Sequence, residues 1–283
     1  MLNSLRSIAV FLDSDDTGDR AIGYAAKLSR QFGAHLIGIF SLKRSSYEDR
    51  FDAFARGDKA IRSVIEKRES VVQEATSAAG RRFLDIARRH GVSAEFRVLL
   101  GPLHAENAVL HSLHCDLVVV GHSGQSGLPN NLTAERILLE TGVPVLIVPE
   151  GWDVSGDIAH VVVAWNASRE ARRAISDAMP FLTAAQSVTL LVVDAEKDPG
   201  RHGEQPGADA AVFLARHGAK IEVEQVDSNS RPVEEVILSR ATALNSDLVI
   251  IGAYSRARTV ERIFGGVTLS LLNKTTVPLL ISR

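Results

Sequence analysis

Short apolar runs alternate along this chain with longer stretches in which apolar residues recur at helical spacing. The first run, Ser7 to Asp13 (SIAVFLD), is apolar at nearly every position and ends in an acid. A strand covered by helices on both faces reads this way, whereas a strand with one wet face alternates. Asp15, Asp16 and Thr17 offer capping oxygens for a helix through about Phe32. Its apolar positions Ile22, Ala25, Ala26 and Leu28 share one side, and Gly33 stops it. His35 to Leu42 predicts a second strand, Val92 to Leu100 a third, Asp116 to Val120 a fourth and Pro144 to Val148 a fifth. Asp52 to His90, polar and rich in Ala, Arg and Glu, predicts one or two helices covering an edge of the sheet. Further helices are expected from about Leu103 to His114 and from about Thr133.

After a polar linker, Gly151 to Asp157, the pattern begins again. His160 to Trp165 repeats the first strand, Ser168 to Phe181 the first helix and Val188 to Asp194 the second strand. Glu196 to Gln205 reads as a polar loop, followed by a helix at Ala208 to His217, a strand at Lys220 to Val226 and a helix at Pro232 to Leu244. Asp247 to Ile251 and Val277 to Ser282 complete the set of strands. Asp116 and Gly121 recur as Asp247 and Gly252 at an offset of 131, while Pro144 recurs as Pro278 at an offset of 134. The first copy is therefore shorter between its Gly and its Pro. Each copy reads as strands and helices in strict alternation. The predicted fold class is α/β: two tandem open parallel five-stranded sheets with helices on both faces, in domains 1–150 and 157–283, with a long helical insert at about 49–90. Ligands of such sheets sit beyond the carboxyl ends of the strands, here Asp13 and Gly121 in one copy and Asn166 and Gly252 in the other.

Composition narrows the function classes. The chain has 283 residues, 45% hydrophobic and 23% charged, with a formal net charge of −2. That balance gives no reason to expect a nucleic-acid or anionic-membrane partner. No apolar run approaches the ~20 residues of a membrane span. The lone Cys115 excludes an intrachain disulfide, and Met1 to Arg6 shows no apolar leader core. The expectation is a cytoplasmic protein.

With two copies of an Asp-Leu-Val-(Val/Ile)-(Val/Ile)-Gly strand and a Val-Pro-(Val/Leu)-Leu-Ile strand, the chain resembles the universal stress protein family over nearly its whole length apart from Tyr47 to Arg89. The resemblance implies an adenine-nucleotide-alpha-hydrolase-like, Rossmann-like fold. It also implies pairing of the two final strands, so that the halves form a pseudo-twofold dimer within one chain; a further homodimer of chains would be compatible with it. Nucleotide-binding members of the family carry Gly, two residues, Gly, nine residues, Gly, then Ser or Thr, with an acid at the end of the first strand on the adenine side. Backbone N–H groups at a helix start attract phosphate, and glycine lets it approach.

In the second copy Gly252 and Gly265 keep this spacing, Ser255 stands at the second Gly, and Gly266 replaces the hydroxyl residue, with Val267 and Thr268 following. Asn166 replaces the acid, and an amide can still donate to or accept from a base edge. Arg256, Arg258 and Arg262 add positive charge nearby. The resemblance thus implies a site for ATP or AMP, with Mg, at Ala164, Trp165, Asn166, Val193, Ile251, Gly252, Ser255, Gly265, Gly266, Val267 and Thr268. In the first copy Asp13, Gly121 and Gly124 are kept; counting forward, Ala134 and Glu135 stand where Gly and the hydroxyl residue are expected, and counting back from Pro144, Asn131 and Leu132 face Gly265 and Gly266. The loop is shorter, and a carboxylate near the phosphate position is repulsive.

His104, His111 and His114 recur at helical spacing beside Cys115, a set that could hold zinc or simply form a solvated helix face. His122 follows Gly121 in a site-like position. No nucleophile stands with a base in a recognisable context, and neither a dinucleotide fingerprint nor a Walker loop is present, so at most a weak ATP hydrolysis with no named base remains for catalysis. Two readings follow: a nucleotide-binding sensor or regulator of the stress response, or a scaffold of the same fold that works through protein contacts alone.

Overall fold

The computed structural model describes residues 5–12, 18–41, 57–99, 104–121, 128, 132–153, 156–253 and 266–283. In chain order the first half runs β1 (Ser7–Leu12), α1 (Asp19–Phe32), β2 (His35–Phe40), α2 (Asp58–His90), β3 (Ala94–Val98), α3 (His104–Ser112), β4 (Leu117–Gly121), α4 (Ala134–Thr141) and β5 (Val145–Val148). The second half runs β6 (His160–Ala164), α5 (Arg169–Asp177), α6 (Met179–Ala184), β7 (Ser187–Val193), α7 (Pro199–His202), α8 (Ala208–Arg216), β8 (Ile221–Val226), α9 (Val233–Ala243), β9 (Leu248–Gly252), α10 (Gly266–Lys274) and β10 (Leu279–Ser282).

The two parallel five-stranded units are joined edge to edge in a ten-stranded sheet, ordered β3-β2-β1-β4-β5-β10-β9-β6-β7-β8. β5 and β10 meet antiparallel, with Leu279 opposite Ile147, Leu280 opposite Leu146 and Ile281 opposite Val145; every other strand pair is parallel. Each unit thus covers the other's exposed edge, as the resemblance implied. The alternation within β1 shows why the apolar runs carry no polar gaps. Ile8, Val10 and Leu12 enter one core and Ala9 and Phe11 the other, on the opposite face. The first core is closed by α1, α2, α5, α6 and α8, the second by α3, α4, α9 and α10, and both run through the two halves. Phe32 of α1 meets Phe181 of α6 edge to face, with ring centroids 5.3 Å apart, across the pseudo-twofold.

Two helices depart from the pattern expected of them. The helix predicted over Ser168 to Phe181 breaks in two, because Pro180 takes the first turn of α6 and cannot donate to the helix before it. The insert forms one helix of 33 residues, about 50 Å long at 1.5 Å per residue. Only its C-terminal part covers the sheet edge: Ala79, Gly80, Phe83, Ile86 and Ala87 are its buried residues. Phe83 seats on Gly38 of β2, where a Cβ would stand 2.8 Å from the Phe83 Cζ.

Candidate functional site

In each half the crossovers change face between the first and fourth strands, so the carboxyl ends of β6 and β9 open a crevice in the second half. There a cleft of about 560 Å³ lies between the strand ends and the start of α10. Its wall contains Ala164 at the end of β6, Trp165 and Asn166 beyond it, Val193 at the end of β7, Ile251 and Gly252 on β9, and Gly266, Val267 and Thr268 on α10. Every residue of the expected second-copy site that lies within the described set is therefore in one wall. Ser255 and Gly265, with Arg256, Arg258 and Arg262, lie outside the described residues. So do Asp13, Gly124 and His122 of the first copy, of whose expected residues Gly121 alone is described, at the end of β4.

Local chemistry sets each position. Asn166 Oδ1 accepts from the Ser168 backbone N–H at 3.3 Å and from its hydroxyl at 2.7 Å, while Ser168 Oγ accepts from the Ala171 N–H and caps α5. The carbonyl side of Asn166 is thus committed to ordering the turn into α5. Ala167 in that turn has φ +52°, and Asp194 at the end of β7 has φ +55°. Left-handed backbone costs a residue such as Ala roughly 1–2 kcal/mol, so the bend at Ala167 is strained, whereas Asp tolerates that region when its side chain is bonded locally. Gly252 has a structural task of its own: a Cβ there would run into the backbone of Glu170 and Ala171 at the start of α5.

The rest of the cleft comes from residues the sequence reading passed over. Leu191, Val233, Ile237 and Leu271 give it an apolar floor, and Asp194, Lys197, Asp198, Arg201 and His202 rise beyond β7. Asp194 ends the run predicted as a strand, and the other four fall in the run predicted as a polar loop, where the chain forms a 3-10 turn at Ala195–Lys197 and the short α7. Its position directly after a parallel strand was the signal, since loops at that end line the crevice. Arg201 makes no ion pair among the described residues.

Asp194 anchors the segment. Burial alone pushes its carboxyl up, but the Lys197 ammonium at 2.8 Å and the Ser228 N–H at 2.7 Å outweigh that and hold it at about 2, below its ordinary 3.8. A depressed carboxyl contributes stability above its ordinary value and loses it as the pH falls towards the folded value. The Tm of the parent should therefore exceed that of Asp194→Asn at neutral pH, and the gap should close as the pH is lowered from about 4 to about 2. Thermal unfolding of the two proteins across that range checks it.

Asp194, Glu196 and Asp227 are the carboxylates among the described residues whose oxygens gather within 4.8 Å of one another. Two of them are exposed, and Asp194 is committed to Lys197 and Ser228, so the group forms a solvated rim. The His111, His114 and Cys115 set does not converge in this way: Cys115 Sγ donates to the His111 carbonyl, His111 lies beside Arg97, and His114 points to solvent. The side chain of His104 lies outside the described set. Burial pushes the Cys115 thiol up to about 11, which leaves it a poor nucleophile.

Asp116 and Asp247, which open the repeated strands, face away from the carboxyl ends. Asp247 Oδ2 accepts from the backbone N–H groups of Ala159 and His160 at 2.9 and 2.8 Å. Asp116 Oδ2 does the same for Arg6 and Ser7, at 2.8 Å each. The most regular element of the repeat is thus a clamp between neighbouring strands. Among the described residues no helix is long and apolar enough to cross a membrane.

Comparison with known proteins agrees with this architecture. A universal stress protein from Archaeoglobus fulgidus DSM 4304 is similar in structure with a TM-score of 0.66 at 18% identity, covering 97% of this chain and 98% of that one. A putative universal stress protein from Pseudomonas aeruginosa UCBPP-PA14 gives 0.61 at 18% identity, over 99% and 93% of the two chains. No curated protein matches. The profile of the universal stress protein family matches residues 4–149 and again residues 158–283. With both halves of the repeat matched in turn, the chain belongs to the universal stress protein family, as a tandem member with two copies of the unit.

Proposed function

We propose that the second-half cleft binds an adenine nucleotide, ATP or AMP, and that the protein works as a nucleotide-responsive module of the stress response. The domains are then 1–150 and 157–283, with the ligand in the latter. The observation that carries this reading is convergence. Nine residues of the site implied by the resemblance line one cleft of about 560 Å³, within the range of small-molecule sites. Its apolar floor suits the flat face of a base. The first turn of α10 presents backbone N–H groups to an anion, and Gly266 carries no side chain to block it. Mg would accompany a triphosphate. A cytoplasmic setting suits a chain with one unpaired cysteine.

One observation favours the alternative of a scaffold that acts through protein contacts alone. Asn166 and Gly252, two of the motif positions, already have structural tasks in the turn and in the packing of α5.

Calorimetric titration of ligand-stripped protein with AMP, ADP and Mg-ATP separates the two. Gly266→Asp is the informative variant, because a Cβ there meets nothing within 4 Å. A carboxylate in a first helical turn is also favourable to the helix while repelling phosphate. Binding in the parent that weakens at least about tenfold in Gly266→Asp, at unchanged Tm, is expected. No heat and no thermal shift with any of the nucleotides would leave the scaffold reading in place.

A further inference from the structure

The apolar stripe of α2 outruns the protein that covers it. Ile61, Val64, Ile65, Val71, Val72 and Ala75 lie on the same side of the helix as Ala79, Phe83 and Ile86, which are buried against the sheet edge. Val72 and Ala75 still touch that core, but Ile61 is 46% and Ile65 48% exposed. Residues 58–71 therefore continue a core-forming face, over about 20 Å at 1.5 Å per residue, on which Val64 and Val71 are half-buried and Ile61 and Ile65 exposed.

We infer that this projecting half of α2 pairs antiparallel with the same segment of a second copy of the chain. The residue pattern is self-complementary in that orientation. With Ile61, Ile65, Arg68 and Val72 at the seam positions of a heptad, a twofold between residues 66 and 67 sets Ile61 against the partner's Val72 and Ile65 against the partner's Arg68. On one flank Val64 meets the partner's Val71. On the other Arg62 meets the partner's Glu69, and the twofold repeats each contact.

The flanking charges decide the occupant. Arg62 and Glu69 stand seven residues apart on one flank and are of opposite sign. A lipid surface or an acidic peptide would call for a flank of one sign, whereas an antiparallel copy exchanges the two. The span also ends in the right place: the partner's helix start at Asp58 falls opposite Ala75, where the body of the protein begins to cover α2. Arg68, engaged within its own chain, lays its methylene stem along the seam with the guanidinium at the rim. A polar seam residue fixes register at a cost in strength, so the pair is weak. This dimer leaves the β5–β10 contact untouched and stands independently of nucleotide binding.

Sedimentation velocity of the full chain over a concentration series tests it. The parent is expected to show a monomer–dimer equilibrium. Ile61→Asp, Arg62→Glu and Glu69→Arg should each weaken it by about tenfold or more, the first because an unpaired carboxylate then faces the partner's Val72 and the other two because like charges face each other across the twofold. The double variant Arg62→Glu/Glu69→Arg should return to within about threefold of the parent, because it restores opposite charges. All three positions are exposed, so circular dichroism and Tm should match the parent throughout. A parent that stays monomeric at every concentration overturns the inference, as does a dimer indifferent to Ile61→Asp. Loss in the single charge variants without recovery in the double variant overturns the antiparallel register.

Discussion

Gly252→Ala should unfold about 8 °C below the parent, a loss of roughly 3 kcal/mol for a chain of this size. The reason is steric. The added methyl would enter the backbone of Glu170 and Ala171 and stand 2.7 Å from the Ala171 Cα. Backbone at the capped start of a helix cannot move aside as a flexible side chain can, so either α5 lifts from β9 or the strand shifts. The φ of Gly252 is not in the left-handed region, so no conformational penalty is mixed into the effect. Gly266 is the control, since a methyl there meets nothing within 4 Å and Gly266→Ala should keep the parent's Tm to within about 1 °C. Thermal unfolding followed by circular dichroism reads both. If Gly252→Ala melted with the parent yet bound nucleotide poorly, the glycine would serve ligand approach alone, and the packing account would be wrong.

This pair of glycines shows how far the sequence carries a site. Spacing places Gly252 and Gly266 in one pattern, and the structure does bring both to one cleft. Spacing cannot say which glycine is small for the ligand and which for a helix, because the atoms that decide it belong to Glu170 and Ala171, far away along the chain. The same limit hides α7. A polar run such as Glu196 to Gln205 has no periodicity, and its place beside the cleft follows from Asp194 holding Lys197 and Ser228, a contact between loops after two different strands.

The fold was more legible, and for a physical reason. Strands buried on both faces must be apolar throughout, so β1, β4, β6 and β9 announce themselves, and the repeated Asp, Gly and Pro fix the two copies against each other. Helix ends were less clear where one residue overrode the pattern. Pro180 splits a stretch whose apolar spacing alone reads as continuous. The length of α2 was open for the opposite reason: nothing in Asp58 to His90 breaks a helix strongly enough, and Gly80 is kept inside it by the ring of Phe96 against which it packs, 3.1 Å from where its Cβ would be.

Asp247→Ala should cost about 2 kcal/mol, seen as a fall of about 5 °C in Tm. The carboxylate takes two backbone N–H groups, of Ala159 and His160, at the entry to β6, while the Asp247 N–H returns a bond to the His160 carbonyl at 2.8 Å. Ser246 adds its hydroxyl to the same carbonyl at 3.2 Å. Together these fix the register of β6 against β9, the strand pair whose far ends open the cleft. Without the carboxylate, two N–H groups at a partly buried strand start depend on water, and charge-assisted bonds are the stronger kind to lose. Asp247→Asn keeps an acceptor in place and should lose about half as much. Asp116→Ala, the same change at the more exposed clamp of the first half, should lose about half of what Asp247→Ala loses, because water reaches the Arg6 and Ser7 N–H groups more readily. The order of the three midpoints is the decisive reading. If Asp247→Ala melted no lower than Asp116→Ala, exposure would not be what separates the clamps; if neither moved, the acid at the head of each repeated strand would not hold the sheet.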